Sequence, residues 1–422
     1  MVKYGSNHIG RGQQMTNKAA AIKVIECLRS RGFVALLAGG CVRDMLLGRR
    51  ANDYDVATDA VPKDVIKLFK RTIKVGAKFG VVIVLIYNRQ VEVATFRTET
   101  GYADGRHPET VEFTTAKEDA ARRDFTINGM FYDPLEKKVI DFVNGRADLK
   151  NRLIRTIGSA RRRFGEDWLR MLRAVRFSSQ LGFAIESKTW SAIRRNAPSI
   201  TGISGERIAM ELDGILACPN RWRGADMLIK SGLAEAIFPG FVGVGAESAV
   251  PVLGRLRQRI DFALGLAAFF AGCDTACALD KCKVLKLSRN QSKHIKFLLA
   301  NRGRLLDENM GLAELKMIAG GPYFEDLYEL EKAIQNTAGD SKGISALRKL
   351  RKRINALGDV ELHPRPLLDG HDLIRLGAVP GPVLGQLSEE MYVAQLEGKL
   401  KSSGQAEQWV REWLKRHRSV EK

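Results

Sequence analysis

Residues 36–58 read LLAGGCVRDMLLGRRANDYDVAT, where two aspartates follow an apolar run, a glycine pair and a short charged segment. The residues from Asp53 to Val56 predict a β-strand, and side chains two positions apart lie on the same face of a strand. Asp53 and Asp55 should therefore point the same way. Two neighbouring carboxylates repel each other unless a cation lies between them, and carboxylate oxygens suit Mg²⁺. The pair therefore predicts a magnesium site, whereas an isolated Asp-x-Asp would be more typical of a solvated turn.

The glycine pair Gly39-Gly40 lies at the expected end of the first strand, just before Arg43 and Asp44. Glycine lets the backbone approach a phosphate closely because no side chain stands in the way. This turn is therefore a candidate phosphate-binding segment.

Length and charge limit the possible functions. The chain has 422 residues, of which 45% are hydrophobic, so it should form two or more domains with sizeable cores. Its 68 Lys and Arg residues outnumber its 48 Asp and Glu residues, which gives a formal charge of +20. We therefore expect a polyanionic partner, first of all a nucleic acid.

The sequence shows no sign of secretion or of a membrane partner. It has no apolar run of 18 residues or more, and residues 1–14 lack the apolar stretch of a signal peptide. We therefore expect a cytoplasmic protein whose six cysteines are reduced. Cys273, Cys277 and Cys282 are interpreted as part of a buried helix face, because no fourth ligand with a zinc-like spacing follows them.

The N-terminal part of the chain alternates between helix and strand patterns. Residues 1–15 are polar and should form a mobile arm. The pattern then predicts helices over 16–31, 41–47 and 62–70 and strands over 34–38, 54–57, 81–87 and 91–96. The last two strands should form a hairpin through residues 88–90. Glu92 faces away from Val91 and Val93, so it either faces solvent or supplies a third carboxylate that completes the catalytic metal site.

Two further segments precede an expected domain boundary. Residues 97–110 predict a long loop that could close over a bound nucleotide. Residues 122–128 place Arg123, Asp124 and Asn128 ahead of an apolar segment. Guanidinium groups bind phosphate, and Asp and Asn can hold a ribose hydroxyl, although a charged helix start would look the same. From about residue 150 strand patterns stop and amphipathic helices continue, so we place a domain boundary there.

A helix predicted over residues 163–177 leaves Asp167, Arg170 and Arg173 along one face. A carboxylate accepts from the exocyclic amino group that cytosine and adenine share, and a guanidinium donates to the ring nitrogen beside it. Uracil and guanine present the opposite pattern. Asp167 and Arg170 could therefore select C and A without a template, while a surface ion pair is the plainer alternative.

Together these motifs resemble those of the class II tRNA nucleotidyltransferases, the CCA-adding enzymes, and of the related bacterial poly(A) polymerases. The similarity spans residues 36 to about 212 and includes, in order, residues 37–44 with Asp53 and Asp55, 91–97, 105–108, 122–128, 141–149, 166–170 and 206–207. It implies an α+β fold, in which a small mixed β-sheet nucleotidyltransferase head, polymerase beta-like, precedes an all-helical neck, body and tail. We expect the arm over 1–15, the head over 16–149, the neck over 150–240, the body over 241–355 and the tail over 356–422.

The resemblance also implies roles for individual residues. Asp53 and Asp55 would bind two Mg²⁺ ions, one activating the 3′ hydroxyl of the RNA and one neutralising the triphosphate. The nucleotide-binding residues would be Gly39, Gly40, Arg43 and Asp44 at the triphosphate, Arg123, Asp124 and Asn128 at the ribose and phosphates, Asp167 and Arg170 at the base, and Arg173 and Arg176 in support. Glu206, Arg207 and Glu211 should brace the neck helices. The basic residues Arg255, Arg257, Arg259 and 348–353 either contact an RNA backbone or face solvent.

The leading hypothesis is template-independent addition of C, C and A to the 3′ end of tRNA from CTP and ATP with Mg²⁺. A poly(A) polymerase acting on other RNA 3′ ends shares nearly every motif. That branch carries adjacent basic residues after Val-Gly, where this chain has Val75-Gly-Ala-Lys-Phe79. An enzyme that adds only CC or only A is a further alternative. A catalytically silent RNA-binding protein would have no physical reason to retain a repulsive aspartate pair. No feature of the sequence sets the oligomeric state.

Overall fold

The computed structural model describes residues 15–74, 80–100, 110–358 and 362–418. Residues 1–14 of the expected arm, the Val75–Phe79 segment and the Gly105–Pro108 segment lie outside the described residues. The predicted α+β class is confirmed, because a small mixed sheet precedes a mostly helical remainder. The chain divides into two compact units, residues 1–243 with 284–286 and residues 244–283 with 287–422. The finer division into head, neck, body and tail stays a prediction.

The first unit contains a seven-stranded sheet with the strand order β3-β4-β5-β2-β1-β8-β9. The described strands are β1 (Ala35–Ala38), β2 (Asp55–Thr58), β3 (Thr72–Ile73), β4 (Val81–Ile86), β5 (Arg89–Thr95), β6 (Arg97–Thr100), β7 (Thr110–Phe113), β8 (Phe131–Asp133), β9 (Lys138–Ile140), β10 (Leu153–Ile154) and β11 (Ala184–Ile185). In the large sheet β2 and β5 run parallel, with Val56 opposite Val93, while the other neighbours are antiparallel. All four residues of β1 are buried, which explains the uninterrupted apolar run there.

The predicted hairpin is formed by β4 and β5, but its turn is shorter than expected. Tyr87 and Asn88 have φ values of 50° and 58°, so two residues in the left-handed region join the strands. Turns of this kind match the natural twist of a hairpin. Arg89 and Gln90, expected in the connection, therefore belong to β5 and pair with Ile86 and Leu85.

Two short strand pairs differ from the sequence prediction. β6 and β7 pair in antiparallel orientation, with Arg97 opposite Phe113, where a loop was expected. The two-residue strands β10 and β11 pair in parallel beyond residue 150, where strand patterns were expected to stop. Two residues are too few for a recognisable alternation, so the sequence pattern could not indicate β10 and β11.

The helices of the first unit lie around the large sheet and continue beyond it. They are α1 (Asn17–Arg29), α2 (Gly40–Leu46), α3 (Pro62–Leu68), α4 (Ala116–Arg122), α5 (Gly145–Lys150), α6 (Ala160–Glu166), α7 (Leu169–Leu181), α8 (Ser187–Asn196), α9 (Gly205–Leu216), α10 (Arg221–Lys230), α11 (Leu233–Ile237) and α12 (Phe241–Val244). Local sequence explains several of their ends. Thr115 and Glu118 form a capping box at the start of α4, and Gly182 ends α7 in the left-handed conformation.

The described part of the second unit is helical. Its helices are α13 (Ala246–Arg255), α14 (Phe262–Phe269), α15 (Thr275–Cys282), α16 (Arg289–Ala300), α17 (Leu312–Ala319), α18 (Phe324–Ala338), α19 (Ser341–Asn355), α20 (Gly370–Arg375), α21 (Pro382–Leu396) and α22 (Ser403–Arg418). Near the C-terminus, Leu373, Leu387, Met391 and Trp413 belong to one buried apolar cluster. In the part of the chain that the structure describes, no helix combines the length and the apolar character needed to cross a membrane.

Candidate active site

A cavity of about 820 Å³ in the first unit brings the predicted site residues together. Its lining includes residues from the β1–α2 turn, β2, β5, segment 122–128 and helices α7 and α9. The candidate residues that line it are Gly39, Gly40, Arg43, Asp53, Asp55, Glu92, Arg123, Asp124, Asn128, Asp167, Arg170, Arg173 and Arg176. Residues far apart in the sequence thus form one site, and Asp44 lies outside its lining.

Five carboxylates line this cavity, and three of them, those of Asp53, Asp55 and Glu92, lie on or beside β2 and β5. Asp55 is the first residue of β2, and the parallel register of Val56 with Val93 places Glu92 beside it on β5. Asp53 precedes the strand instead of belonging to it. The strand that predicts a shared face for the two aspartates therefore includes Asp55 but not Asp53, although both side chains line the cavity.

These carboxylates disfavour one another's charge. Partial burial, then the charge of Glu92 and then that of Asp53 raise the pKa of Asp55 to about 6, against the lowering effect of Arg123. A divalent cation bound by the carboxylate oxygens would relieve this repulsion. The donor set therefore fits a divalent metal, which Asp53 and Asp55 could hold.

The turn between β1 and α2 brings the backbone to the cavity wall. Gly39 has a φ of +73°, and a Cβ atom there would lie 3.2 Å from Nη1 of Arg123. A side chain at this position would be strained and would crowd the guanidinium group. Arg43 donates from Nη1 to Oδ1 of Asn128 at 2.9 Å, and its Nε and Nη2 donate to the carboxylate of Asp44 at 2.8 and 3.0 Å. Asp44 therefore positions Arg43.

A buried carboxylate, Asp119, holds the two arginines of segment 122–128. Arg122 donates to Oδ1 from Nε and Nη2 at 2.9 and 2.6 Å, and Arg123 donates to Oδ2 from the same atoms at 3.1 and 2.9 Å. Burial alone would raise the pKa of Asp119, but the charges and hydrogen bonds of both arginines hold it below its ordinary value. Sequence reasoning missed Asp119, although its spacing of three and four residues from the arginines is a usable signal.

Asp124 and Arg173 connect segment 122–128 to helix α7. Arg173 donates to Oδ2 of Asp124 from Nε and Nη2, at 2.8 and 2.6 Å. Burial would raise the pKa of Asp124, but the charge and hydrogen bonds of Arg173 and the amide of Phe125 outweigh it and lower the pKa. Asp124 is therefore ionised at neutral pH, and both side chains have fixed positions at the cavity.

Asp167 and Arg170 both line the cavity, but each binds a different partner. The helix predicted through them is interrupted, because α6 ends at Glu166, Asp167 is extended with φ −153° and ψ 107°, and α7 begins at Leu169. Arg207 donates from Nη2 to Oδ2 of Asp167 at 2.9 Å, whereas Arg170 donates from Nη1 to Oε2 of Glu166 at 2.6 Å. Asp167 and Arg170 therefore do not pair with each other, as the plainer alternative had it, but each forms an ion pair with another residue.

The ring of Phe177 lies among three guanidinium groups at the cavity. The Cζ atoms of Arg43, Arg173 and Arg176 lie 5.3, 5.4 and 4.3 Å from the ring centroid. Cation–π attraction helps to keep these side chains in place. Arg176 also donates from Nε to Oε2 of Glu211 at 2.6 Å, which joins α7 to α9. Phe177 was missed because an aromatic residue at helical spacing is more typical of a core.

Two protein-family models match parts of the first unit. The model described as the Poly A polymerase head domain matches residues 35–155. The model described as the probable RNA and SrmB-binding site of polymerase A matches residues 182–243. The first match contains the three carboxylates and the β1–α2 turn.

The chain is also similar to curated CCA-adding enzymes. It is 34% identical to the CCA-adding enzyme of Lactobacillus johnsonii over 394 residues, which cover 91% of this chain and 94% of that enzyme. It is 45% identical to the CCA-adding enzyme of Geobacillus stearothermophilus over 224 residues, which cover 53% of this chain and 55% of that enzyme. The second alignment thus spans about half the length of the Geobacillus enzyme.

Solved structures show the same similarity. The crystal structure of the Bacillus stearothermophilus CCA-adding enzyme in complex with CTP has a TM-score of 0.76 and 30% identity, over 96% of this chain and 99% of that chain. The Thermotoga maritima CCA-adding enzyme complexed with tRNA has a TM-score of 0.64 over 95% of this chain and 97% of that chain. Since the Thermotoga protein is only 20% identical, this second likeness concerns the fold.

Proposed function

This chain belongs to the family of the CCA-adding enzymes, and from that premise we propose that it adds C, C and A to the 3′ end of tRNA from CTP and ATP, without a template. The observation that carries the proposal is the single cavity in which Asp53 and Asp55 lie together with Asp167 and a set of arginines. One cavity thus combines oxygen donors for a metal, cations for a triphosphate and hydrogen-bonding groups for a base. We also propose that the protein is cytoplasmic, since the curated relatives described above are bacterial enzymes.

The acidic part of the cavity would hold the metal. Asp53 and Asp55 offer oxygen ligands suited to Mg²⁺, and the raised pKa of Asp55 supports a cation site there. When bound, Mg²⁺ supplies activation of the RNA 3′ hydroxyl and neutralisation of charge on the triphosphate. Glu92 adds negative charge beside Asp55 and so strengthens the attraction for a cation.

The basic part of the cavity would hold the triphosphate. Arg43 and Arg123 line it beside the backbone of the Gly39-Gly40 turn. Because Asp44 and Asp119 already fix these guanidinium groups, little rearrangement is needed when phosphates bind. The chain's own residues would thus orient the nucleotide for attack.

Base selection would rest on Asp167 and Arg170. A carboxylate oxygen accepts from the exocyclic amino group of C or A, and a guanidinium donates to the adjacent ring nitrogen. Arg207 and Glu166 hold the two side chains separately, so the acceptor and the donor keep fixed positions. Such a fixed pattern would refuse U and G without a template.

A poly(A) polymerase, or an enzyme that adds only CC or only A, would use the same cavity. Segment 75–79, which bears on the choice between CCA addition and poly(A) synthesis, lies outside the described residues. The test supplies labelled CTP, ATP, UTP and GTP singly to the protein with Mg²⁺ and a tRNA transcript that lacks CCA. Incorporation from CTP and refusal of UTP and GTP support the proposal. Long tails from ATP alone would assign a poly(A) polymerase and contradict it.

A further inference from the structure

A second cavity, of about 880 Å³, lies in the first unit, and its lining shares no residue with that of the candidate active site. It is formed by segments 142–144 and 155–161 and by helix α8. One segment reaches both cavities, because Ala121 and Thr126 line this one while Arg123 and Asp124 line the active site. The two cavities are therefore close neighbours.

The lining of the second cavity is basic. Its four cationic side chains are those of Arg155, Arg161, Lys188 and Arg195. The lining contains a single carboxylate, that of Glu186, which is already occupied, and Arg155 also pairs with Asp148 at 3.0 Å. Glu186 accepts hydrogen bonds at the start of α8, at 2.7 and 2.9 Å, and lies 3.5 Å from Nη1 of Arg155. Among the described residues, Arg161, Lys188 and Arg195 are exposed and make no ion pair. Three cations are thus available to an anion.

Helix α8 arranges part of this charge. Lys188, Ser191 and Arg195 follow one another at spacings of three and four residues, so they share one face of the helix. Ser187 and Lys188, in its first turn, also line the cavity. The face therefore presents cations and hydroxyl donors along a line of about two turns.

An aromatic side chain completes the second cavity. Phe142 is 45% exposed and belongs to the lining. Proteins that bind single-stranded nucleic acid combine cations along the backbone with exposed aromatic rings on which bases stack. Phe142 and the three cations provide both components.

We propose that this second cavity binds the backbone of the RNA substrate upstream of its reacting 3′ end, with an unpaired base stacked on Phe142. The inference rests on the proposed function for the identity of the RNA. The cations are spread along the lining of the second cavity, which suits the successive phosphates of an RNA strand. A free nucleoside triphosphate suits the active site better, because there a carboxylate group for its metal lies beside the arginines.

The test compares RNA binding by the unmodified protein and by the triple variant Arg161→Gln/Lys188→Gln/Arg195→Gln. The probe is a tRNA transcript that ends after CC, so that unpaired bases lie upstream of its reacting end, and binding is measured at several salt concentrations. Each lost phosphate contact makes the plot of log K against log salt less steep by about 0.7, so the triple variant should lose about 2 units of slope. We expect about tenfold weaker RNA binding at low salt, with unchanged CTP affinity. Phe142→Leu, which keeps apolar volume but removes the ring, should weaken binding with little change of slope.

The matched control is Arg31→Gln/Lys63→Gln/Lys138→Gln, which removes the same charge from exposed residues outside both cavities. Equal slopes for the triple variant and this control would overturn the proposal, as would weaker CTP binding with unchanged RNA binding. Melting temperatures show whether the variants are folded. If the triple variant is unfolded, Arg161→Gln alone is measured instead, and its plot of log K against log salt should be less steep by about 0.7. Absence of nucleotide incorporation by the unmodified protein would contradict the proposed function alone, since RNA binding is measured separately.

Discussion

Arg207 on α9 donates a hydrogen bond from Nη2 to Oδ2 of Asp167, 2.9 Å away, and so fixes the carboxylate that precedes α7. Arg170, on α7, is fixed separately by Glu166. The two groups proposed to read the base therefore depend on partners outside the pair. Base selection should be sensitive to those partners as well as to Asp167 and Arg170 themselves.

Asp167→Ala should relax the preference for CTP and ATP over UTP and GTP, because the acceptor for the exocyclic amino group is removed. Arg207→Ala leaves the carboxylate with only the amide of Leu169 to hold it, and should lower kcat/KM for CTP about 10- to 100-fold, the worth of a hydrogen bond to a charged group. Single-nucleotide incorporation rates measure both effects. Glu206→Gln, at an exposed neighbour on α9, is the control. Normal rate and selectivity in both variants would refute the assignment of the base site.

Asp55→Asn should abolish nucleotide incorporation, since it removes a proposed metal ligand. It should leave tRNA binding within about twofold of the unmodified protein, because one neutralised side chain removes no cation that contacts phosphate. Without divalent metal, the variant should melt at a higher temperature than the unmodified protein, because the charge repulsion of Glu92 and Asp53 on residue 55 is relieved. Incorporation assays, filter binding and thermal unfolding are the measurements. Undiminished incorporation would exclude Asp55 from the metal site.

Asp119→Asn should destabilise the first unit by about 3 kcal/mol, because it leaves two largely buried guanidinium groups without their carboxylate. Nucleotide binding should weaken in parallel, since Arg123 would lose the carboxylate that holds its Nε and Nη2. Chemical denaturation and CTP titration measure the two effects. Asp64→Asn, which removes an exposed pair with Lys67, should cost less than about 0.5 kcal/mol. Similar losses in the two variants would contradict the positioning role of Asp119.

His294 should make the stability of the second unit depend on pH. Its Nδ1 lies 3.3 Å from Asp261 and its Nε2 lies 3.2 Å from Asp326, which Arg257 also contacts. Burial would lower the pKa of His294, but the two nearby carboxylates raise it from 6.5 to about 9. The folded state therefore binds the proton more tightly than the unfolded state does. The stabilisation is complete below about pH 6.5 and is lost as the pH rises through 9.

The loss should amount to at most about 3 kcal/mol, since one pKa unit corresponds to about 1.4 kcal/mol. Urea unfolding from pH 6 to 10 measures it as the difference between the unmodified protein and His294→Gln. His371→Gln, at an exposed site, is the control and should follow the unmodified protein. Parallel pH profiles for the unmodified protein and His294→Gln would contradict the raised pKa.

The sequence was sufficient to predict the α+β class and most of the cavity lining. The glycine pair, the aspartates and Glu92 lie on or beside segments of strong local pattern, so the sequence could identify each of them as a candidate site residue. The large sheet brings β5 beside β2, which the sequence could only suggest. Tertiary pairing then completed the site.

The missed features depend on contacts between distant residues. Arg207 lies 40 positions from Asp167, and no local pattern pairs them. The break at Asp167 was hidden because apolar spacing continues across it. The structure shows the break, because the Asp167 carboxylate accepts a hydrogen bond from the amide of Leu169, at 3.1 Å, where the new helix begins. Periodicity records which face is apolar, and it does not record which polar partner a side chain finds.

The most direct test of the central proposal uses three tRNA transcripts, ending before CCA, after the first C and after CC. Each is incubated with the protein, Mg²⁺ and labelled CTP and ATP, singly and together, and the products are sized. The proposal predicts C addition to the first two transcripts, A addition only after CC, and growth that stops at CCA. Tails that lengthen from ATP alone, irrespective of the starting end, would contradict it.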